Sequence, residues 1–318
     1  MVLIAENLHI ISKTTKEAIA KRCDDYILKI IDDVSACGID IFDLNVGPAK
    51  GEIKESLPYL TKLIKNSANH DIKFSFDTSN FDEMELGFNS IDKNCAEKSF
   101  LNSICADENK MAAGFEIAHK YNPNIIALTF NPDEGIKKTS DERMELGFFL
   151  YERMLNEGII ENKIYFDPLV LPVSVAQEQA NTVLETIRMM KESMGEINTI
   201  IGLSNISNGS PKDIRPLLNR VFLVLAMGAG LDGAIIDGLD KETIRIFNMI
   251  KDVSGNIVQN SSLSPLDSLY YSLYNAVNNF NDIDDIEFDT NDLSLLNIMK
   301  AARILLNKEI YSHSFYIR

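Results

Sequence analysis

The stretch TTKEAIAKRCDDYILKIIDDVSACGIDIFDLN (residues 14–45) holds one complete unit of the pattern that sets the fold. Thr14, followed three residues later by Glu17, reads as a capping box at a helix start. Tyr26, Ile27, Ile30, Ile31 and Val34 then recur with helical spacing and make one apolar stripe. Gly38 follows as a C′ residue, where a left-handed backbone favours glycine. The run Ile39–Leu44, in which Ile39, Ile41, Phe42 and Leu44 are apolar, is short enough for a buried strand, and it finishes at Asp43 and Asn45.

The same unit repeats along the chain. Short apolar runs lie at Val2–Ala5, Ile39–Leu44, Ile72–Phe76, Ser99–Leu101, Ile125–Thr129, Ile164–Phe166, Thr199–Leu203 and Gly233–Ile236. Most lack the alternating polar residues of a half-exposed sheet, as expected of parallel strands covered on both faces. Helical segments separate them. Pro211 and the Arg215–Asn219 stretch, for example, lead into a helix that should bury Phe222, Leu223, Leu225, Ala226 and Met227. Eight strands alternating with helices in about 240 residues predict an α/β fold, a (β/α)8 TIM barrel. A doubly wound open sheet is the competing layout. No G-x-G-x-x-G follows the first strand and no G-x-x-x-x-G-K-[ST] occurs, which removes the usual reasons to prefer it.

Beyond Asp240 the repeat changes. A helical segment to about Asp252 is followed by a Ser-, Asn- and Gly-rich loop (253–265) and a helix over Leu266–Asn278 with Leu269, Leu273, Tyr274 and Val277 on one face. An acidic stretch, NDIDDIEFDTND (281–292), precedes a helix over Leu293–Leu306. We expect one domain, 1–318, in which the last βα unit is elaborated by an insertion at about 253–292. The insertion's apolar face is too small to form a core alone.

The chain has 318 residues, 45% of them apolar, and 31 basic against 47 acidic side chains, a net charge of −16. Disorder is excluded by that composition. Nucleic acid or an anionic membrane surface is disfavoured as partner, because neutralising phosphates needs clustered Lys and Arg. Cys23, Cys37, Cys95 and Cys105 have no C-x-x-C spacing, which speaks against a disulfide framework and suits a reducing cytoplasm. The start MVLIAENLHII has no basic leader, and Glu6 interrupts its apolar run, so no signal peptide is expected. No stretch approaches the ~20 apolar residues that span a bilayer.

In a βα barrel, chemistry sits where the strands finish. The strand ends read Glu6, Asp43 with Asn45, Asp77, Asn102, Asn131, Asp167, Asn205 and Asp237. Each alone reads as a turn former or helix cap. Eight together around one barrel mouth make a ring of acceptors and amide donors, suited to a small molecule with ring N–H and amino groups and poorly suited to a phosphate ester. The histidines (His9, His70, His119, His313) lack paired metal-ligand spacing, so no metal site is expected; His9, just past the first strand, has a position that could face the site, but a lone histidine reads first as structural. Ser204, Ser207 and Ser210 lack a nucleophile elbow.

The segments FDLNVGP (42–48), FDTSN (76–80), LNS (101–103), YFDPLVLPVSVAQE (165–178), GLSNIS (202–207), RPLLNR (215–220), GLDGAIID (230–237) and LLNKEIYSHSF (305–315) resemble, in order, the methyltetrahydrofolate:corrinoid protein methyltransferase family. The resemblance implies a pterin-binding barrel whose substrate is tetrahydrofolate or 5-methyltetrahydrofolate, with the methyl group moving between N5 and the cobalt of a corrinoid. By the family pattern Asp77, Asn102 and Asp167 hold the amino-pyrimidinone edge, and Asn205 is the catalytic carboxamide near N5. Gly202, Ser204, Gln177 and Arg215, in the same segments, join Glu6, Asp43, Asn45 and Asn131 in the implied substrate-binding set. The cobalamin pattern D-x-H-x-x-G is absent, so the corrinoid should arrive on a separate protein. A homodimer is also implied. The direction of transfer stays open.

Two departures stand out. Where the family reads G-E-R-I-N, this chain has Ala5-Glu6-Asn7-Leu8-His9, and it carries the 253–292 insertion. Two other functions compete: a dihydropteroate synthase-like pterin enzyme, whose late-strand basic motifs are missing from SNISNGS and GAIIDGLD, and a non-catalytic folate-binding subunit.

Overall fold

A computed structural model describes residues 1–67, 71–255 and 263–316. His70 and residues 256–262 of the expected loop lie outside the described residues. Strands β1 (Val2–His9), β2 (Ile41–Asn45), β3 (Lys73–Asp77), β4 (Phe100–Ile104), β5 (Asn124–Leu128), β8 (Ile164–Asp167), β9 (Asn198–Gly202) and β10 (Gly233–Ile236) close into a parallel barrel in chain order, β10 pairing back onto β1. All eight expected runs are strands. The short pair β6 (Phe130–Asn131) and β7 (Gly135–Ile136) forms a separate antiparallel hairpin after β5.

The opening unit differs from its sequence reading in two respects. The cap is Ser12, whose hydroxyl accepts from Thr15 N, and the segment forms two helices, Lys13–Ala20 and Asp24–Ser35. Arg22 between them has a left-handed backbone (φ 54°), which no helix interior accepts. Ile27, Ile31 and Val34 form the buried face of the second helix, as their spacing predicts.

Register explains why polar side chains collect at one end. Side chains alternate between barrel interior and helical layer, so residues two apart on a strand share a face. Ile4, Ile41, Phe100, Ile126, Tyr165 and Ile200 form an apolar plug inside the barrel. Two residues further along their strands stand Glu6, Asp43, Asn102, Leu128, Asp167 and Gly202, all facing the cavity above the plug. Cross-strand pairing sets their heights: His9, Asn45, Asp77 and Asn102 lie on one rung, and Leu128 pairs with Asp167.

The helix Arg215–Gly228 is buried from Val221 to Gly228 because helices cover it from outside as well as the barrel from within. Pro265–Asn278 crosses it at Gly228, where a Cβ would lie 2.6 Å from Tyr274 O and 2.9 Å from Val277 Cβ. Leu293–Leu305 packs beside it. Leu269, Leu273, Val277, Leu295 and Ile298 thereby join the apolar cluster of the barrel's helical layer. The acidic stretch before that helix is used locally: Asp292 caps it, and Asp282 and Asp284 both pair with Lys308.

Candidate active site

The strand ends enclose a cavity of about 550 Å³ lined by Glu6, His9, Asp43, Asn45, Asp77, Asn102, Asp167, Gly202, Ser204, Asn205 and Arg215, with Ile11, Ser103, Leu128, Asn208 and Ile235. That volume is in the range of small-molecule sites.

Hydrogen bonds across the barrel mouth and within its loops hold much of this polar wall. Asn102 Nδ2 donates to Asp43 Oδ1 at 3.1 Å and to Ser75 Oγ at 3.2 Å. Asn45 Nδ2 donates to Asp77 Oδ2. Asp167 Oδ1 accepts from Leu169 N at 2.8 Å, leaving its other oxygen available to a ligand. Ser204 Oγ donates to Glu6 Oε2 at 3.2 Å, joining the turn after β9 to β1.

Burial dominates the electrostatics. It pushes the Asp77 and Asp167 carboxyls up to about 6 and Glu6 up to about 7. Asp43 is driven well above the usual carboxylate range by burial and by the adjacent Asp77 charge. Behind Asp167 the wholly buried Arg143 donates to Gln179 Oε1 (2.6 Å) and Lys137 O (3.0 Å), and its positive charge offsets part of the Asp167 shift. Such a wall accepts hydrogen bonds from a ligand's N–H groups and gains most from one that restores the carboxylates' lost solvation.

Asn205 sits on a tight turn after β9, Leu203–Ser207. A Cβ on Gly202 would come within 2.9 Å of Asn205 Nδ2, so glycine there leaves room for the carboxamide. Arg215 holds the turn from the far side, donating to Ser207 Oγ and Asn208 Oδ1, each at 3.1 Å. Asn208 Nδ2 in turn reaches Asn205 Oδ1 at 3.4 Å.

Of the residues singled out by sequence, Glu6, Asp43, Asn45, Asp77, Asn102, Asp167, Gly202, Ser204, Asn205 and Arg215 meet in this cavity. Three lie elsewhere. Asn131 belongs to the β6–β7 hairpin, where Oδ1 accepts from Asp133 N; β5 ends three residues earlier, at Leu128. Gln177 ties down the C-terminal segment, donating to Ile304 O, Asn307 Oδ1 and Glu309 O and accepting from Tyr311 N. Asp237 borders an adjoining side cavity, where it accepts from Asn7 Nδ2 at 2.7 Å.

His9 is the converse case, a cavity residue that sequence reading assigned to structure. A bulge between Ala5 and Leu8 shifts the alternation, so Glu6 and His9, three apart, both face inward. Leu128 and Ile235 also line the wall, unmarked by any polar signature. Among the described residues no group of His, Cys, Asp and Glu is arranged to hold a metal ion.

Closed barrel, apolar plug and carboxylate–carboxamide mouth define a βα barrel with a candidate site suited to a small molecule rich in N–H groups. Residues 12–237 match the pterin binding enzyme family, and the chain belongs to it. It is 24% identical over 244 residues to the methylcorrinoid:tetrahydrofolate methyltransferase of Eubacterium limosum, covering 76% of this chain and 87% of that protein. It is also 27% identical over 236 residues to the methionine synthase of Mycobacterium tuberculosis, covering 71% of this chain but 19% of that longer protein. Among solved structures, Yersinia pestis dihydropteroate synthase superposes with a TM-score of 0.54 at 14% identity, over 80% of this chain and 93% of that one. The Coxiella burnetii dihydropteroate synthase bound to pteroic acid gives 0.52 at 17%, over 71% and 85%. These likenesses establish a shared fold.

Proposed function

We propose that this protein is a methyltransferase moving a methyl group between N5 of tetrahydrofolate and the cobalt of a corrinoid carried by a separate protein. The carrying observation is the convergence of Asp77, Asn102 and Asp167 on one cavity wall with Asn205 on the turn beside them. Asp77 and Asp167 accept from the pterin's ring N–H and exocyclic amino group, Asn102 supplies an amide between them, and Asn205 hydrogen-bonds at N5. Transfer is an in-line displacement, so the barrel contributes positioning and a hydrogen bond that strengthens as charge changes on N5.

The Eubacterium limosum relative supports this activity and makes methylcorrinoid-to-tetrahydrofolate the direction to test first. The dihydropteroate synthase reading is weaker. Its pyrophosphate substrate calls for cations, and Arg215, already bonded to Ser207 and Asn208, is the cation among the described lining residues. A cytoplasmic location accords with the four free cysteines. Homodimerisation is part of the same reading, and light scattering tests it.

The test mixes purified protein with methylcobalamin and tetrahydrofolate, or cob(I)alamin and 5-methyltetrahydrofolate, and follows the cobalt spectrum. No change in either direction refutes the assignment. Asn205→Ala should cost roughly 10²-fold in rate, as loss of a transition-state donor does, without changing the fold; an unaltered rate would remove Asn205 from the chemistry.

A further inference from the structure

The methyl transfer proposed above has a proton to place. When tetrahydrofolate is methylated, the N5 lone pair forms the new N–CH3 bond. The carbon–cobalt pair stays on cobalt, which passes from Co(III) to Co(I), and the proton first carried by N5 must leave. In reverse, a proton must reach N5 as the methyl departs. Asn205 hydrogen-bonds but does not titrate, so another group must exchange that proton.

We propose that Glu6 is this group: resting on the methyltransferase reading, it takes the N5 proton during folate methylation, returns it in the reverse reaction, and exchanges it with solvent through the side cavity at Asp237.

Three observations carry the assignment. Glu6 lines both the main cavity and the adjoining side cavity of about 320 Å³, where Asn7, Thr15, Tyr26 and the exposed Asp237 also stand. On its inner side it is bonded through Ser204 to the turn that bears Asn205, which sets the carboxyl beside the place assigned to N5. The other carboxyls have other places: Asp77 and Asp167 stand on the wall assigned to the pyrimidinone, and Asp43, 3% exposed, accepts from Asn102 on the barrel floor. His9 also borders both cavities, but its Nδ1 accepts from Ser12 N, and burial pushes its pKa down, leaving a neutral ring with that nitrogen occupied.

The charges facing Glu6 set its working range. Withdrawal from water raises it to about 7, the Ser204 hydrogen bond opposes the rise, Asp43 from β2 and Asp237 after β10 add to it, and Arg215 opposes it. The sign of the pH effect follows. Folate methylation needs the carboxylate, so its rate rises as pH passes through about 7, whereas the reverse reaction needs the acid and falls over the same range.

The experiment compares wild type with Glu6→Gln and Glu6→Asp across pH, in both directions, and counts protons exchanged on tetrahydrofolate binding by calorimetry in buffers of different ionisation enthalpy. Glu6→Gln should bind tetrahydrofolate within about 3-fold of wild type, lose roughly 10²-fold in transfer rate near neutrality, and lose the limb near pH 7 in both directions. Its proton count should differ from wild type between about pH 6 and 8. Glu6→Asp should retain a displaced limb. If Glu6→Gln keeps the wild-type limb, or loses folate binding in step with rate, Glu6 is not the exchanging group. A wild-type enzyme without transfer in either direction overturns the methyltransferase reading and this role with it.

Discussion

Replacing Asp167 by asparagine should make the empty protein more stable at neutral pH while impairing its site. Asp167 is 8% exposed, and burial raises its carboxyl from 3.8 to about 6. Below about pH 4 the group is neutral in folded and unfolded chains alike, and it costs nothing. Between about 4 and 6 the unfolded chain ionises first, so stability falls as pH rises, and above about 6 the full penalty stands. A rise of about two pH units corresponds to about 3 kcal/mol. The introduced carboxamide would carry no charge and could keep the bond from Leu169 N, since its Oδ1 replaces the accepting oxygen. Asp167→Asn should therefore gain about 1 kcal/mol near pH 4.5 and about 3 kcal/mol near pH 8. With an unfolding entropy of about 0.7 kcal/mol/K for a chain of this length, the larger figure is a rise of about 4 °C in Tm. Tetrahydrofolate affinity should fall about 10- to 100-fold, the worth of a hydrogen bond to a charged acceptor. Melts of both proteins at the two pH values, with calorimetric binding, decide the matter. A variant less stable than wild type near pH 8, or a Tm gap independent of pH, would refute the reasoning.

Gln177→Ala should act on the tail and not on the site. It removes bonds to Ile304 O, Asn307 Oδ1, Glu309 O and Tyr311 N, so a loss of about 1–3 kcal/mol and faster proteolysis of 309–315 are expected, with folate affinity within about 2-fold. A collapse of affinity at unchanged Tm would instead return Gln177 to the substrate-binding set. Gly228→Val should destabilise by at least about 2 kcal/mol, because its Cβ meets backbone at Tyr274 O and has no rotamer escape; an unchanged Tm would mean that helix 265–278 does not pack as described.

Much of the fold was legible because parallel strands covered on both faces carry short, mostly apolar and β-branched runs without regular polar alternation, as in Ile125–Thr129 and Thr199–Leu203. The candidate site was legible to the extent that a strand's last inward residue can be counted from its apolar run. That count fails where alternation is broken. At β1 the bulge turns His9 inward, and nothing in AENLHI announces it. After β5 the strand stops at Leu128, so Asn131 passes to a hairpin. The place of Gln177 was illegible for a different reason: its partners are 127 to 134 residues away, in a tail whose path no local pattern discloses.

The departure at Asn7 is one whose consequence becomes intelligible only through such a distant partner. Asn7 Nδ2 donates to Asp237 Oδ1, and Asn7 Oδ1 accepts from Gly238 N at 2.8 Å, so one carboxamide clamps the turn after β10 to β1. An arginine at that position could donate to Asp237 but could not accept from Gly238 N, because guanidinium has no acceptor. It would also place a permanent positive charge near Glu6, favouring its carboxylate. With neutral Asn7 in place, that position sets no cation between Asp237 and Glu6, and Asp237 adds to the rise at Glu6. The substitution that marks this chain off from the family pattern thus helps to give Glu6 a carboxyl poised near neutrality, the condition under which it can both accept and release the proton of N5.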